Sequence, residues 1–440
     1  MKRFFFVLAF CLSCAVLHAQ DSYYSDFNPD RDMVPSVSEN NFFSRGIQYG
    51  GWATPSFGTR EADDSRTTIM AAVFRLWAKS YLWDNAFIYV RAKDSLSIPT
   101  TDRIENKNIV DLDVGYIEAK FLNDTLKLSV GRKYFVIGTG LIMNNRGDGF
   151  EASYSNKYFG AMAFVNYSGL FQKDENPYKV STADYSDGAK RLFAGGVLST
   201  NVLANQNFYL YGVNQKDFAK NKEERYDSLY LGIGAKGVLF SNLDYYAEFI
   251  YETGKSYSIA MSEKSDIAAM AVDTGLAMRF TFATEPVILF QYSYGSGDKD
   301  RTIPTNMAGK DNHFISFGTF NGGLGLNPEL GNLHVIRGGF SFQPFDRVPL
   351  NFIRRMTLVA KYSYYMKDKV DAVINGGEAR NSERNVGQGV DAVLRWKIFY
   401  DMSLFAAYAI FLPGKAYYDN PPFETKSNRQ FFLCGANISF

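Results

Sequence analysis

The chain has 440 residues, 46% hydrophobic and 16% aromatic, with 29 Tyr, 38 Phe and a mean hydropathy of −0.20. Its 47 basic and 46 acidic residues nearly cancel, which excludes the basic footprint of a nucleic-acid-binding protein. Of its three cysteines, Cys11 and Cys14 lie in an apolar leader and only Cys434 would remain after processing, which excludes a disulfide framework and a cysteine metal site.

Met1-Lys-Arg is cationic, Phe4 to Leu17 is apolar, and His18-Ala19 precedes Gln20, so residues 1–19 read as a secretory signal peptide. Neither leader cysteine sits in a good lipoprotein box. Beyond residue 19 no apolar run reaches the ~18 residues of a membrane helix. A polar average with heavy aromatic use instead fits strands that turn one face to lipid and the other to water. Residues 20–41 are polar, contain Pro29 and Pro35, and read as a periplasmic lead-in. Within them Asp26 to Asp32 has the oxygen spacing of a calcium loop, but Arg31 stands where the sharp turn needs glycine, so a solvated segment is expected.

From Phe42 to Phe440 run about eighteen segments of alternating polarity, with sixteen as the lower count. Short turns fall at 83–85, 123–124, 156–157, 241–242 and 283–286, with somewhat longer ones near 201–206, 343–351 and 397–401. Long connections fall near 53–66, 95–108, 135–147, 169–189, 219–227, 254–265, 297–332, 367–385 and 412–428. This short-long rhythm predicts an all-β fold: a transmembrane antiparallel up-and-down β-barrel over residues 42–440, with short periplasmic turns and long outer loops.

Several segments assign their own faces. Leu243, Tyr245, Ala247, Phe249 and Tyr251 oppose Asp244, Glu248 and Glu252; Val272, Leu276, Met278, Phe280 and Phe282 oppose Asp273, Arg279 and Thr281. Charge on the lipid face costs ~2–4 kcal/mol at mid-bilayer, so the charged rows belong to the lumen. Asp111 and Asp113 share a face that Glu118 and Lys120 do not, which predicts a bulge near Gly115.

The stretch from Val130 to Phe150 ends one strand at Gly131-Arg132, passes through a glycine-bearing segment, and starts another at Asp148-Gly149-Phe150. It resembles the alginate-export family of outer-membrane barrels, whose pattern is matched at Gly131, Arg132, Gly138, Asn145, Arg146, Asp148 and Gly149. Lys133 replaces the family's Gln, and Glu151 stands where the family tends to be basic. The resemblance implies an eighteen-stranded pore, though not an alginate substrate. Gly138-Thr-Gly140 is no dinucleotide fingerprint, since neither a helix pattern nor a third glycine follows. Phe135, Val136, Ile137, Leu141, Ile142 and Met143 are instead expected to fold inward as a constriction, the alternative being a loop that covers the rim.

Only His313 and His334 survive signal removal, without a nucleophile–base signature. Gly295 to Arg301 carries oxygen donors that could coordinate a cation, but without metal-ligand spacing a solvated loop is the expected reading, so neither metal nor cofactor is expected. In the last stretch Phe432, Cys434, Ala436, Ile438 and Phe440 alternate with Phe431, Leu433, Gly435, Asn437 and Ser439. It resembles the closing strand of a Gram-negative-type outer-membrane barrel, which implies recognition by the barrel assembly machinery through Phe440.

The expected function is passive diffusion of small polar or anionic solutes, saccharides among them, through a channel set in outer-membrane lipid, with no enzymatic activity. The alternative is a surface adhesin that binds host or matrix molecules through its long outer loops. Strand phase points Arg75, Lys79, Arg91, Lys93, Arg337, Arg355, Lys361, Arg395 and Lys397 into the lumen on one arc across the seam. Asp244, Glu248, Glu252 and Asp273 are expected on the opposite wall, creating a transverse field over a lumen that a Debye length of ~8–10 Å partly spans. The competing expectation is that these charges pair with nearer neighbours.

Overall fold

A computed structural model describes residues 47–62, 65–100, 106–170, 178–257, 264–301, 306–417 and 427–440. The expected signal peptide, the lead-in with Asp26 to Asp32, and residues 42–46 lie outside the described residues. Eighteen strands form one antiparallel sheet: β1 (Gln48–Ala62), β2 (Ser65–Trp83), β3 (Ala86–Pro99), β4 (Lys107–Phe121), β5 (Leu126–Ile137), β6 (Met143–Ser155), β7 (Phe159–Ser168), β8 (Arg191–Thr200), β9 (Gln206–Asp217), β10 (Asp227–Leu239), β11 (Leu243–Ser256), β12 (Ser265–Arg279), β13 (Val287–Gly295), β14 (Leu333–Phe342), β15 (Met356–Lys367), β16 (Asn385–Lys397), β17 (Met402–Pro413) and β18 (Arg429–Ser439). Each strand pairs with its chain neighbours, and β1 also pairs with β18, so the sheet closes and has no free edge. At the seam the Gly51 amide donates to the Phe440 carbonyl at 2.9 Å and the Phe440 amide to the Gly51 carbonyl at 3.0 Å. Among the described residues two short α-helices, α1 (Thr182–Asp187) and α2 (Asn351–Arg354), sit in connections.

Period-two burial fixes inside and outside. On β11, Phe249 and Tyr251 are exposed outward while Asp244, Glu248 and Glu252 point in; on β12, Leu276 and Met278 alternate with Asp273. Phe280 and Phe282, expected to end that strand, instead stack on each other in the turn after Arg279 at 5.6 Å between centroids. On β18, Ile438 faces out and the buried Asn437 faces in, bonded to Thr54 of β1. The bulge falls where the phase slip places it: the β3–β4 register shifts between Arg91 and Ala92, Asp113 and Val114 are both buried, and the inward row moves to Tyr116, Glu118 and Lys120.

The connections alternate in length as expected, with two corrections. Residues 53–62, expected in a loop, are strand. Pro55 is tolerated because its missing N–H falls in the gap of the β1–β18 ladder between Ala53↔Ile438 and Ser56↔Gly435. Most of 135–147 is also strand, and the connection proper is only residues 138–142. β1 has 15 residues and β2 has 19, against ~9–11 needed to cross a bilayer, so their long-loop ends extend past it.

The largest buried cluster lies inside the barrel. It joins Phe135, Ile137, Leu141, Ile142 and Met143 of the β5–β6 hairpin, Phe314, Phe317 and Leu330 of the β13–β14 connection, and inward side chains of β7 to β12.

Candidate pore constriction

The hairpin tip leaves the wall at a defined level. β4 and β5 stop pairing at Gly115↔Arg132, and β6 and β7 stop at Asp148↔Tyr167, yet β5 and β6 stay paired up to Ile137↔Met143. Residues 133–147 are therefore a free-standing ribbon bent into the lumen. Its hinge is a pair of facing glycines, Gly131↔Gly149. Gly131 has φ 127°, a Cβ there would lie 2.3 Å from the Gly115 carbonyl oxygen, and a Cβ on Gly149 would lie 2.0 Å from that of Val165.

Once bent, the ribbon presents one face to the inner wall of β3 and β4 and the other to β7–β11. On the first face Arg132 binds Asp148 through Nε and Nη2 at 2.9 and 2.8 Å, and Asp111 at 3.3 Å. Arg146 reaches Asp111 at 3.3 Å and also pairs with Asp113. Asp113, the bulge residue, additionally receives Arg91 at 2.5 Å and Arg75 at 3.3 Å. Five of the seven family-like positions thus build the hinge and latch of the ribbon: Gly131, Arg132, Arg146, Asp148 and Gly149. Asn145 accepts the Arg146 amide at 2.7 Å, and Gly138, with φ 61°, lies at the tip against the Glu248 carboxylate.

A second segment, residues 313–330, crosses the lumen as a strap. Its Ile315 amide donates to Glu252 at 3.0 Å, and the Tyr230 hydroxyl donates to the Ile315 carbonyl at 2.8 Å. Phe317 is surrounded by Tyr178, Phe193, Tyr226 and Tyr230 and by the Arg191 guanidinium 5.0 Å from its ring. Mid-lumen, the Gly318 and Thr319 amides donate to the Leu141 and Gly140 carbonyls at 2.9 and 3.0 Å, so strap and ribbon tip meet backbone to backbone. On the far side Arg337 donates to Asn321 O at 2.8 Å and Tyr365 to Gly322 O at 2.6 Å, while Asp391 holds Arg337 at 3.0 Å.

The expected acidic wall takes a different role. Glu248, 2% exposed, accepts from Tyr209 at 2.7 Å, Tyr211 at 2.5 Å and the Thr139 amide at 2.6 Å. Glu252, 0% exposed, accepts from the Tyr226 hydroxyl and the Ile315 amide, and shares the single Tyr230 hydroxyl proton with the Ile315 carbonyl, the Tyr230 oxygen lying 2.8 Å from each. Tyr211 and Tyr209 can lie across the wall because Gly232 and Gly234 beneath them have no Cβ. Asp244 is buried against Arg279 at 2.7 Å, and Asp273 against Ser293 at 2.7 Å and Gln291 at 3.2 Å. All four point inward, as phase requires, but ribbon, strap or neighbouring side chains cover them. A field across open water between facing walls is not what this arrangement builds.

The basic residues divide. Arg75, Lys93, Arg337 and Lys361 are buried, whereas Lys79, Arg91, Arg395 and Lys397 face inward with partial exposure. Arg75 and Arg91 pair with Asp113, and Arg337 anchors the strap. Arg355, expected on a strand, is an exposed residue at the C-cap of α2, because the β14–β15 turn extends through Arg354. Sequence reasoning did not find the counter-charges Asp111 and Asp113, the phenols or the strap. The phenols had a signal, since Tyr209, Tyr211 and Tyr230 share the inward phase of their strands.

Cavities remain open at both ends. At the long-loop end one of about 730 Å3 is lined by Arg60, Lys179, Arg301 and Arg429, with Glu329 and Glu378. At the short-turn end one of about 710 Å3 is lined by Arg279, Arg347 and Arg395, with Glu285 and Asp346.

A family model described as alginate export matches residues 52–431. No curated protein matches the chain. Similar solved structures include OccK8 (OprE) of Pseudomonas aeruginosa at 11% identity and a TM-score of 0.59, covering 90% of this chain and 98% of that one. OccK2 (OpdF) of Pseudomonas aeruginosa, in complex with glucuronate, has 11% identity, a TM-score of 0.57 and the same coverages. The outer membrane protein opdK of Pseudomonas aeruginosa has 11% identity and a TM-score of 0.56, over 90% of this chain and 100% of that one. At such identity these likenesses establish a shared fold.

Proposed function

The chain belongs to the alginate-export family and forms an outer-membrane β-barrel channel; on that premise we propose that it passes small polar and anionic solutes by passive diffusion. The observation that carries this reading is where charge meets water. Asp244, Glu248, Glu252 and Asp273 are covered, while the outer cavity is lined by four basic and two acidic side chains; with the Arg301–Asp311 and Arg429–Glu378 pairs set aside, Arg60 and Lys179 stand there against Glu329. Low-dielectric walls focus such an excess and raise the local concentration of anions. Glucuronate, bound by OccK2, is a solute of this class. The outer-loop adhesin finds no support in a family of channels, and no catalytic step is assigned to the barrel. In the same reading, membrane assembly engages the lipid-facing row Phe432, Cys434, Ala436 and Ile438 of β18, with Phe440 beyond it.

The test is the reversal potential of the purified protein in planar bilayers under a potassium chloride gradient. The wild type is expected to prefer chloride, and the R60Q/K179Q/R347Q/R395Q variant to lose that preference, most visibly at low salt. Cation preference in the wild type, or an unchanged potential in the variant, would overturn the reading.

A further inference from the structure

The inner wall of β2–β4 carries a run of aromatic side chains that the constriction does not use. Tyr81 and Phe87 sit near the short-turn end with centroids 6.3 Å apart. Phe87 meets Tyr116 at 6.0 Å, Tyr116 meets Tyr89 at 5.7 Å, and Tyr89 stacks on Trp77 at 6.0 Å with 19° between planes. All five belong to inward rows: Trp77 and Tyr81 alternate with Arg75 and Lys79, Phe87 and Tyr89 with Arg91, and Tyr116 follows the bulge. That phase separates them from the lipid-facing aromatic girdle of a membrane barrel. None belongs to a buried cluster, and each keeps partial or full exposure, in contrast to the buried rings around Phe317. Trp77 lies over Gly50 of β1, where a Cβ would come within 3.1 Å of its ring. From Tyr81 to Trp77 the run climbs four residues, ~14 Å at ~3.4 Å per residue, which exceeds one sugar ring.

Polar groups of both signs flank this run. The Lys79 ammonium lies 4.9 and 4.5 Å from the Tyr81 and Phe87 rings, and Glu118 is the strand partner of Phe87. Lys133, bound to Glu151 at 3.1 Å, stands 5.8 Å from the Tyr116 ring. A ligand recognised by charge alone needs cations without carboxylates. A pyranose ring offers an apolar C–H face to stack on a ring and a rim of hydroxyls that both donate and accept, which matches an aromatic strip flanked by ammonium and carboxylate. We propose that Trp77, Tyr89, Tyr116, Phe87 and Tyr81 form a stacking track for short saccharide chains, neutral ones included, along the periplasmic half of the lumen. This inference rests on the channel reading and adds a ligand class that the mouth charges do not select.

Maltotriose, an uncharged probe, tests it. Added to single channels of the wild-type protein in a planar bilayer, it is expected to produce resolved current blockades that polyethylene glycol of matched mass does not. The W77A/Y89A variant should weaken apparent affinity about tenfold or more, the loss expected on truncating aromatic anchors. Channels that conduct normally yet show no saccharide-specific blockade, or equal blockade in the variant, would overturn the track while leaving the channel reading intact. Failure to conduct would overturn the channel reading instead. The track is then decided in detergent: a maltotriose-dependent change in tryptophan fluorescence that disappears in W77F supports it, and no change overturns it.

Discussion

The wall from β7 to β13 and the wall from β1 to β4 follow the same inward-outward alternation, yet they meet the lumen in different ways. On the first, ribbon and strap cover the inward side chains, so Glu248 and Glu252 are enclosed by phenols and loop amides, and among the described residues no cation is bonded to either carboxylate. On the second, the rings of Trp77, Tyr89 and Tyr116 keep contact with the lumen, and the charges of Arg75 and Arg91 are met by Asp113. The difference teaches that strand phase decides which way a side chain points, whereas the long connections decide whether it reaches water. A buried acceptor bonded to amides of an inward segment is a clamp, because removing it leaves several buried donors unsatisfied.

The largest expected effect comes from the hinge that creates the difference. In G149V the new Cβ would lie about 2.0 Å from the Val165 carbonyl oxygen, a backbone atom that cannot move aside. The ribbon could not bend as it does, at a cost beyond the ~1–3 kcal/mol of ordinary overpacking. Little heat-modifiable, folded barrel should be recovered on electrophoresis; wild-type yield with wild-type conductance would contradict the hinge.

A smaller loss is expected from the latch. D113N removes the shared counter-charge of Arg75, Arg91 and Arg146, and breaking a buried pair costs ~3–5 kcal/mol. The barrel should form but melt earlier, and its conductance should fluctuate as the ribbon loosens. A melting temperature equal to wild type would show that Asp111 suffices.

Much of this molecule was legible in the sequence, because lipid-face charges are costly enough to impose period two on every strand. The slip between Asp113 and Glu118 even located the bulge. What could be read only in part was cover. Phe135, Ile137, Leu141, Ile142 and Met143 fold inward as their apolar run predicts, whereas Val136 stays exposed. The alternation from Val130 to Phe150 does not show where the ribbon leaves the wall, which the facing glycines Gly131 and Gly149 mark. Residues 313–330 carry no period, so nothing announced that Phe317 crosses to Tyr226 and Tyr230. Without that cover, Glu248 and Glu252 read as a water-facing acidic wall.

The smallest effect separates clamp from wall. E252A orphans the Tyr226 hydroxyl and the Ile315 amide, at ~1–3 kcal/mol for each unsatisfied group, and should raise mean conductance by freeing the strap. E252Q keeps an acceptor and should sit between the two. If both variants instead shift only ion selectivity, Glu252 lines water and the clamp is wrong.

Cysteine accessibility compares the two walls directly. In a C434S background, A271C on β12 and K79C on β2 both place a thiol on an inward row, but Ala271 is 0% exposed beneath the constriction and Lys79 is partly exposed. A charged methanethiosulfonate reagent should modify K79C quickly and lower its single-channel current, leave A271C untouched, and modify A271C once E248A and E252A are added. Equal modification of A271C and K79C in the otherwise unaltered barrel would contradict the account.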